Sequence, residues 1–256
     1  MNKKTALVTG ASRETGIGYA ICRQLLSEGY FVHVVYNSEN RCEESLKKDY
    51  GDNIEMHQVD FTNRQSLNGF IAKMLSHPLD LIVNNAGLFA DEDFNNYDLN
   101  EWDAVLAVNV TAPFAISVGL KKALNTGAVI INMTSTDGFK GSFSSMSYAA
   151  SKAALINVTQ SLAINFGYDE KKIRVVAVAP GWVKTDEKMI PEISWKVAPQ
   201  LTPLGRFAEP AEVAKLVSFL ASDNAKFITA STYTIDGGYS TVDYDLLRES
   251  GRSISE

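Results

Sequence analysis

The chain has 256 residues, 45% of them hydrophobic, and 24 basic against 30 acidic side chains leave a formal net charge of −6. That length builds one substantial core. Scattered Lys and Arg argue against nucleic acid or an anionic membrane as the main partner, and the pairs Lys3-Lys4, Lys47-Lys48, Lys121-Lys122 and Lys171-Lys172 read as solvated faces. Two cysteines, Cys22 and Cys42, make no disulfide framework and read as reduced thiols of a cytoplasmic protein. His33, His57 and His77 lie far apart, in no metal-ligand spacing, so no metal site is expected. The start "MNKKTALVTG" lacks a signal-peptide pattern, and no apolar run is expected to reach the length of a membrane span.

In chain order, strands are expected at 5–9, 31–36, 54–60, 79–85, 128–135, 173–180 and 231–236. Helices are expected at 17–27, 43–48, 64–75, 100–124 (bent at Pro113), 148–165 and 211–221. Several strands are almost wholly apolar, as a sheet covered on both faces requires. The β-α succession with right-handed crossovers predicts an α/β fold: a doubly wound parallel sheet of about seven strands, with helices on both faces, in a single domain over 1–256. Residues 182–210, with Pro191, Pro199, Pro203, Trp182 and Trp195, read as a substrate loop, and 239–256 as a C-terminal tail.

Between the first strand and first helix lies "TGASRETGIG" (9–18). Gly10, Gly16 and Gly18 allow close backbone approach to a pyrophosphate, and the helix entry at Ile17 supplies amide donors. Taken alone, the segment is equally an ordinary glycine-rich turn, because the spacing departs from G-x-G-x-x-G.

Further on, "SYAASKAAL" places Tyr148 and Lys152 four apart, on one face of a helix, with Ser135 thirteen residues before the tyrosine. A tyrosine ionises near pH 10, and a neighbouring ammonium lowers that value toward the working range. A serine hydroxyl beside the phenol holds a carbonyl oxygen. Phenol, ammonium and hydroxyl together suit hydride transfer to a carbonyl, where the developing alkoxide needs a proton and a hydrogen bond.

With these residues in order, the chain resembles the short-chain dehydrogenase/reductases, a Rossmann-type family. The resemblance runs from about Lys4 to Gly238 through "TGASR..GIG", "VD" (59–60), "NNAG" (84–87), Asn109, Ser135, "YAASK", "PGWVKTD" (180–186), "PLGR" (203–206) and "DGG" (236–238). Its last blocks are most similar to the 3-oxoacyl-carrier-protein reductase-like branch. The resemblance implies that Tyr148 is the general acid and that Lys152 lowers its pKa and holds the nicotinamide ribose. Ser135 orients the carbonyl, and Asn109 holds a water linking Lys152 to solvent. For the cofactor it implies Gly10, Ser12, Arg13, Thr15, Gly16, Ile17 and Gly18 at the phosphates, with Asp60 and Phe61 at the adenine. Asn85, Ala86 and Gly87 fall at the adenosine ribose, and Pro180, Gly181, Val183 and Thr185 around the nicotinamide. Asn84 and Asn109 are equally read as backbone braces, and Asp236-Gly237-Gly238 as turn chemistry.

The second strand ends "VVYNSEN", with Asn37 and Ser38 where an acid would bind the ribose of NAD, and the resemblance implies that Arg13 in the loop faces a phosphate there. NADP(H) is therefore expected over NAD(H). The expected substrate is a small carbonyl compound or an acyl thioester, with an apolar wall from Trp182, Met189, Ile190 and Trp195. A homotetramer or homodimer through the 100–124 and 148–165 helices is implied by the family. Two rivals remain: an enoyl-thioester reductase, whose tyrosine would fall at Ser145, and a catalytically silent NADP-binding regulatory protein.

Overall fold

The computed structural model describes residues 3–37, 42–93, 95–185 and 192–242. Its seven strands are β1 (Thr5–Thr9), β2 (Phe31–Tyr36), β3 (Ile54–Gln58), β4 (Leu79–Asn84), β5 (Leu124–Met133), β6 (Arg174–Pro180) and β7 (Thr232–Ile235). They form one parallel sheet in the order β3-β2-β1-β4-β5-β6-β7. The order reverses between β1 and β4, so the carboxyl ends of those two strands open the crevice where ligands bind in doubly wound sheets.

Alternate strand residues feed two cores. On one face Val8, Val34 and Val178 pack with Ile21 and Leu25 of α1 (Ile17–Ser27) and Val213 and Val217 of α8 (Pro210–Ala221). On the other, Leu7, Ile82 and Ile130 meet Phe70 of α3 (Arg64–Met74), Ile116 of α5 (Ala112–Gly119) and Phe166 of α6 (Met146–Gly167). The remaining helices are α2 (Glu43–Tyr50), α4 (Leu99–Leu106) and α7 (Glu192–Leu201).

The expected helix over 100–124 is corrected in two ways. It is divided into α4, a π-helical turn at Ala107–Thr111 and α5, because Pro113 has no N–H to continue the ladder and Ala112 N–H reaches back to Ala107 O. It also ends at Gly119, since Leu124 already pairs with Leu79 as the start of β5. The polar opening of β5, "LNTG", hides that strand, with Gly127 at φ 76° and its N–H on Lys171 O. Within the expected 182–210 loop, 192–201 is helical despite Pro199. The run Leu99–Gly119 is long and apolar enough to cross a membrane, contrary to the expectation from the sequence, and a third of its most apolar window is buried. The acidic Glu101 and Asp103 near its start mask the length of that run.

The three histidines also depart from expectation. Distant in sequence, they converge, because β2 and β3 run side by side in register with Val35 opposite His57. The His33 ring lies 5.2 Å from His57 and 5.0 Å from His77, centroid to centroid.

Candidate active site

The glycine loop sits at the carboxyl end of β1. Gly10 has φ +72°, and a side chain there would place a Cβ 2.5 Å from the Ala86 backbone; at Gly18 it would meet Gly10 O at 2.5 Å. Both positions therefore need glycine, which brings the loop against the β4 exit. There Asn85 ties it down, donating through Nδ2 to Thr9 O and Gly10 O at 2.9 Å, while Thr9 Oγ1 accepts from Asn85 and Ala86 N–H. Gly16 is the extended N-cap of α1 and brings no side-chain cap, and the first turn holds no acid. The leading amides of α1 are left for an anion. Ser12 and Ile17 are half-buried beside this entry, whereas Arg13 and Thr15 are exposed. A glycine cradle that Cβ atoms would fill, opening on an uncapped helix, fits the pyrophosphate of a dinucleotide.

The π turn carries Asn109, which is fully buried. Its Oδ1 accepts from Leu88 N–H at 2.8 Å, and Nδ2 donates to Leu88 O and to Ser151 Oγ, both at 2.9 Å. Both amide protons are thus engaged in bracing the β4 exit against α6. One Oδ1 lone pair is left over. Asn84 braces deeper, donating to Asn132 Oδ1 at 2.8 Å, and Asn132 donates to Thr159 on α6.

Ser135 follows β5, and Tyr148 lies in the first turn of α6. Between them the turn Thr136–Phe139 lies directly on α6, where a Cβ at Gly138 would come within 2.9 Å of the Lys152 backbone. This close approach brings Ser135 near enough to Tyr148 to act on its ionisation. Lys152 is 3% exposed; its Nζ donates to Met133 O at 2.9 Å and stands 5.3 Å from the centroid of the Tyr148 ring. Burial and the Asp137 carboxylate push the Tyr148 phenol up to about 12, against a smaller lowering by Ser135. Burial alone brings the Lys152 ammonium down to about 8. The expected lowering of the tyrosine pKa by Lys152 does not show in the protein by itself: burial and Asp137 raise it, and Lys152 is not among the groups that shift it.

The rest of the expected cofactor set falls in three groups. Gly87 is exposed next to Lys152, whose Nζ would be 3.6 Å from a Cβ there. At the adenosine end, Asn37 is exposed past β2, and Ser38 lies outside the described residues. Asp60 accepts from Thr62 N–H and hydroxyl through one oxygen, whereas the Phe61 side chain is core, packed with Val35 and Val59. Only the Phe61 backbone is left to meet an adenine. Near the expected nicotinamide, Pro180 ends β6, Gly181 N–H donates to Ile235 O, and Thr185 is half-buried. Val183 points into the core and bridges to Ala208.

A protein family described as enoyl-(acyl carrier protein) reductase matches residues 10–240. An acetoacetyl-CoA reductase of Rhizobium meliloti is 35% identical over 242 residues, covering 92% of this chain and 98% of its own. Among solved structures, a short-chain dehydrogenase/reductase from Serratia marcescens has a TM-score of 0.84 at 33% identity, covering 93% of this chain and 98% of its own. The chain belongs to the short-chain dehydrogenase/reductase family. BdcA, solved with NADPH, is also similar, with a TM-score of 0.82, 30% identity and coverage of 91% and 93%.

This short-chain dehydrogenase/reductase carries site features that the sequence does not announce. Glu92 caps α6 from 54 residues away, its carboxylate accepting from Met146 N–H at 2.5 Å and Ser147 N–H at 2.9 Å. No local pattern links an acid to a helix start so distant. Phe89 packs edge-on to Tyr148 at 5.4 Å, and Phe89, Phe139 and Phe143 are each more than half exposed. Of the expected apolar wall, Trp182 and Trp195 pack on Phe207, and Met189 and Ile190 lie outside the described residues. Glu14 and Thr15 line a groove of about 830 Å³ with Tyr19, Arg23, Lys184 and Thr185.

Proposed function

We propose that the protein is an NADP(H)-dependent reductase of carbonyl compounds, ketones or 3-oxoacyl thioesters, with Tyr148 as proton donor. The observation that carries this reading is the buried Lys152 Nζ 5.3 Å from the centroid of the Tyr148 ring, with Ser135 close enough to act on the phenol, next to a glycine cradle. When bound there, the dinucleotide supplies the hydride that reduces the carbonyl carbon. Tyr148, held protonated at neutral pH, delivers its proton to the carbonyl oxygen, and Ser135 orients that oxygen. Lys152 keeps its proton at neutral pH and stabilises the phenolate that forms.

This arrangement predicts a pH profile. Carbonyl reduction stays level up to neutrality and falls as pH rises through about 8, where Lys152 loses its proton while Tyr148 still holds its own. Initial rates at saturating substrate from pH 5 to 10 measure this, and a rate rising through that range contradicts it.

NADP(H) is favoured by Tyr36-Asn37 at the end of β2, where no acid stands among the described residues, and by a basic residue, the exposed Arg13, in the glycine loop. The NADPH complex of the similar BdcA supports the same assignment. Residues 13–15, which lengthen the loop, are exposed at the phosphate end and remote in role from the proton donor. Deleting Glu14 and Thr15 is expected to change NADPH affinity several-fold while single-turnover reduction keeps its rate. An unchanged affinity with a slowed chemical step would sink that role.

Exposed Phe89, packed on Tyr148, with exposed Phe139 and Phe143 in the segment between Ser135 and Tyr148, supports an apolar acyl or alkyl substituent on the carbonyl. Reduction of an enoyl thioester, suggested by the family description, is disfavoured because Ser145 occupies the position of the tyrosine in that group. Exposed Leu99, Phe114, Val118 and Ile164 on α4, α5 and α6 support a homotetramer or homodimer through these helices.

A further inference from the structure

We infer that His33, His57, Glu55 and His77 form a binding site for a divalent transition metal of the zinc type, separate from the Tyr148 site. His33 Nδ1 lies 3.0 Å from His57 Nε2 and 3.4 Å from Glu55 Oε2, and His57 Nε2 lies 3.7 Å from Glu55 Oε1. Tetrahedral zinc with bonds of about 2.0–2.1 Å holds its ligand atoms about 3.3 Å apart. The separations are of that order, the two imidazoles each approaching a different oxygen of the Glu55 carboxylate. His77 faces the same place: one ligand atom each of His33, Glu55 and His77 lie within 4.8 Å of one another, with His57 bordering that group through its contact with His33. Three imidazoles and one carboxylate are a set that zinc, nickel and copper prefer to magnesium or calcium.

The surroundings suit a metal as well. Phe31 stacks edge-on to His33 at 5.1 Å and Phe70 to His57 at 5.5 Å, giving the pair an apolar shell. His33 and His57 are buried, so an ion held between them would sit away from bulk water. One cation already competes for the place: Lys73 Nζ lies 3.1 Å from Glu55 Oε1 and 3.2 Å from His57 Nδ1. Its side chain is about half exposed, so it has room to swing away. A bound ion would fasten the edge strand β3 to β2 and to the turn that follows α3.

The test uses tag-free full-length protein titrated with zinc against a chromophoric chelator, since all three histidines of the chain belong to the cluster. Expected are one equivalent bound, a raised melting temperature and an X-ray absorption signature of several imidazoles. His77→Gln, at a half-exposed position, should weaken binding at least tenfold, and Lys73→Met should tighten it. Absence of stoichiometric binding, or affinity unmoved by His77→Gln, overturns the site. Should His77→Gln lower the melting temperature of the metal-free protein, Lys73→Met decides: tighter binding supports the site, and equal or weaker binding refutes it.

Discussion

Tyr148→Phe is expected to lower the rate of carbonyl reduction about 10³-fold while leaving NADPH affinity within about twofold. The substitution removes one oxygen and keeps the ring that packs edge-on against Phe89. What disappears is the proton, held at a pKa of about 12 and so present on the phenol at any working pH. Ser135 Oγ, which accepts from Asp137 N–H at 3.1 Å, can still bind the carbonyl oxygen, so substrate binding should change little. The loss belongs in kcat, because a donated proton matters only as the alkoxide develops. Steady-state kinetics with a cofactor titration measure both quantities. Near-normal turnover by the variant would remove Tyr148 from the chemistry.

Lys152→Met is expected to move activity and stability in opposite directions. The Lys152 ammonium is almost wholly buried, and its pKa of about 8 against an ordinary 10.5 corresponds to roughly 3 kcal/mol that folding loses at neutral pH. The sign follows from proton uptake: between pH 8 and 10.5 the unfolded chain binds this proton and the folded chain does not, so the penalty fades as pH rises through that window. Methionine fills similar space without charge, and the Met133 carbonyl loses a donor worth about 1 kcal/mol. The net gain is roughly 2 kcal/mol, or roughly 5 °C in melting temperature for a domain of this size. Reduction should meanwhile fall by at least about 10²-fold, since nothing then stabilises the phenolate. Such a trade of stability for function is common at active sites. A variant that melts lower and still turns over would contradict both halves.

Much of the fold is legible in the sequence because its signals are local. Apolar runs such as "LIVNN" and "VVAVAP" mark doubly covered strands, and the 3.6-residue pattern marks α1, α3 and α8. Where residues act at a distance, the reading stops short. The π turn that holds Asn109 arises from a ladder break at Pro113, and the early start of β5 rests on pairing of Leu124 with Leu79. Glu92 reaches α6 across 54 positions, and His33 and His57 meet because β2 and β3 pair in one register, with His77 joining from the turn after α3. In the site, Tyr148, Lys152 and Ser135 were readable from spacing. The electrostatic balance was not: the four-residue spacing suggests a lowered tyrosine pKa, whereas burial raises it. Burial is a property of the folded neighbourhood, of Met133, Gly138 and Asp137 together, and no short motif encodes it.

The most direct test follows nicotinamide absorbance while the wild-type protein meets a 3-oxoacyl thioester, its enoyl counterpart and a set of ketones, each with NADPH and with NADH. The account predicts turnover of a 3-oxo or ketone substrate, a kcat/KM for NADPH at least tenfold above that for NADH, and a 3-hydroxyacyl or secondary alcohol product. Reduction of the enoyl thioester alone, or tight NADPH binding without turnover of any carbonyl, would contradict it.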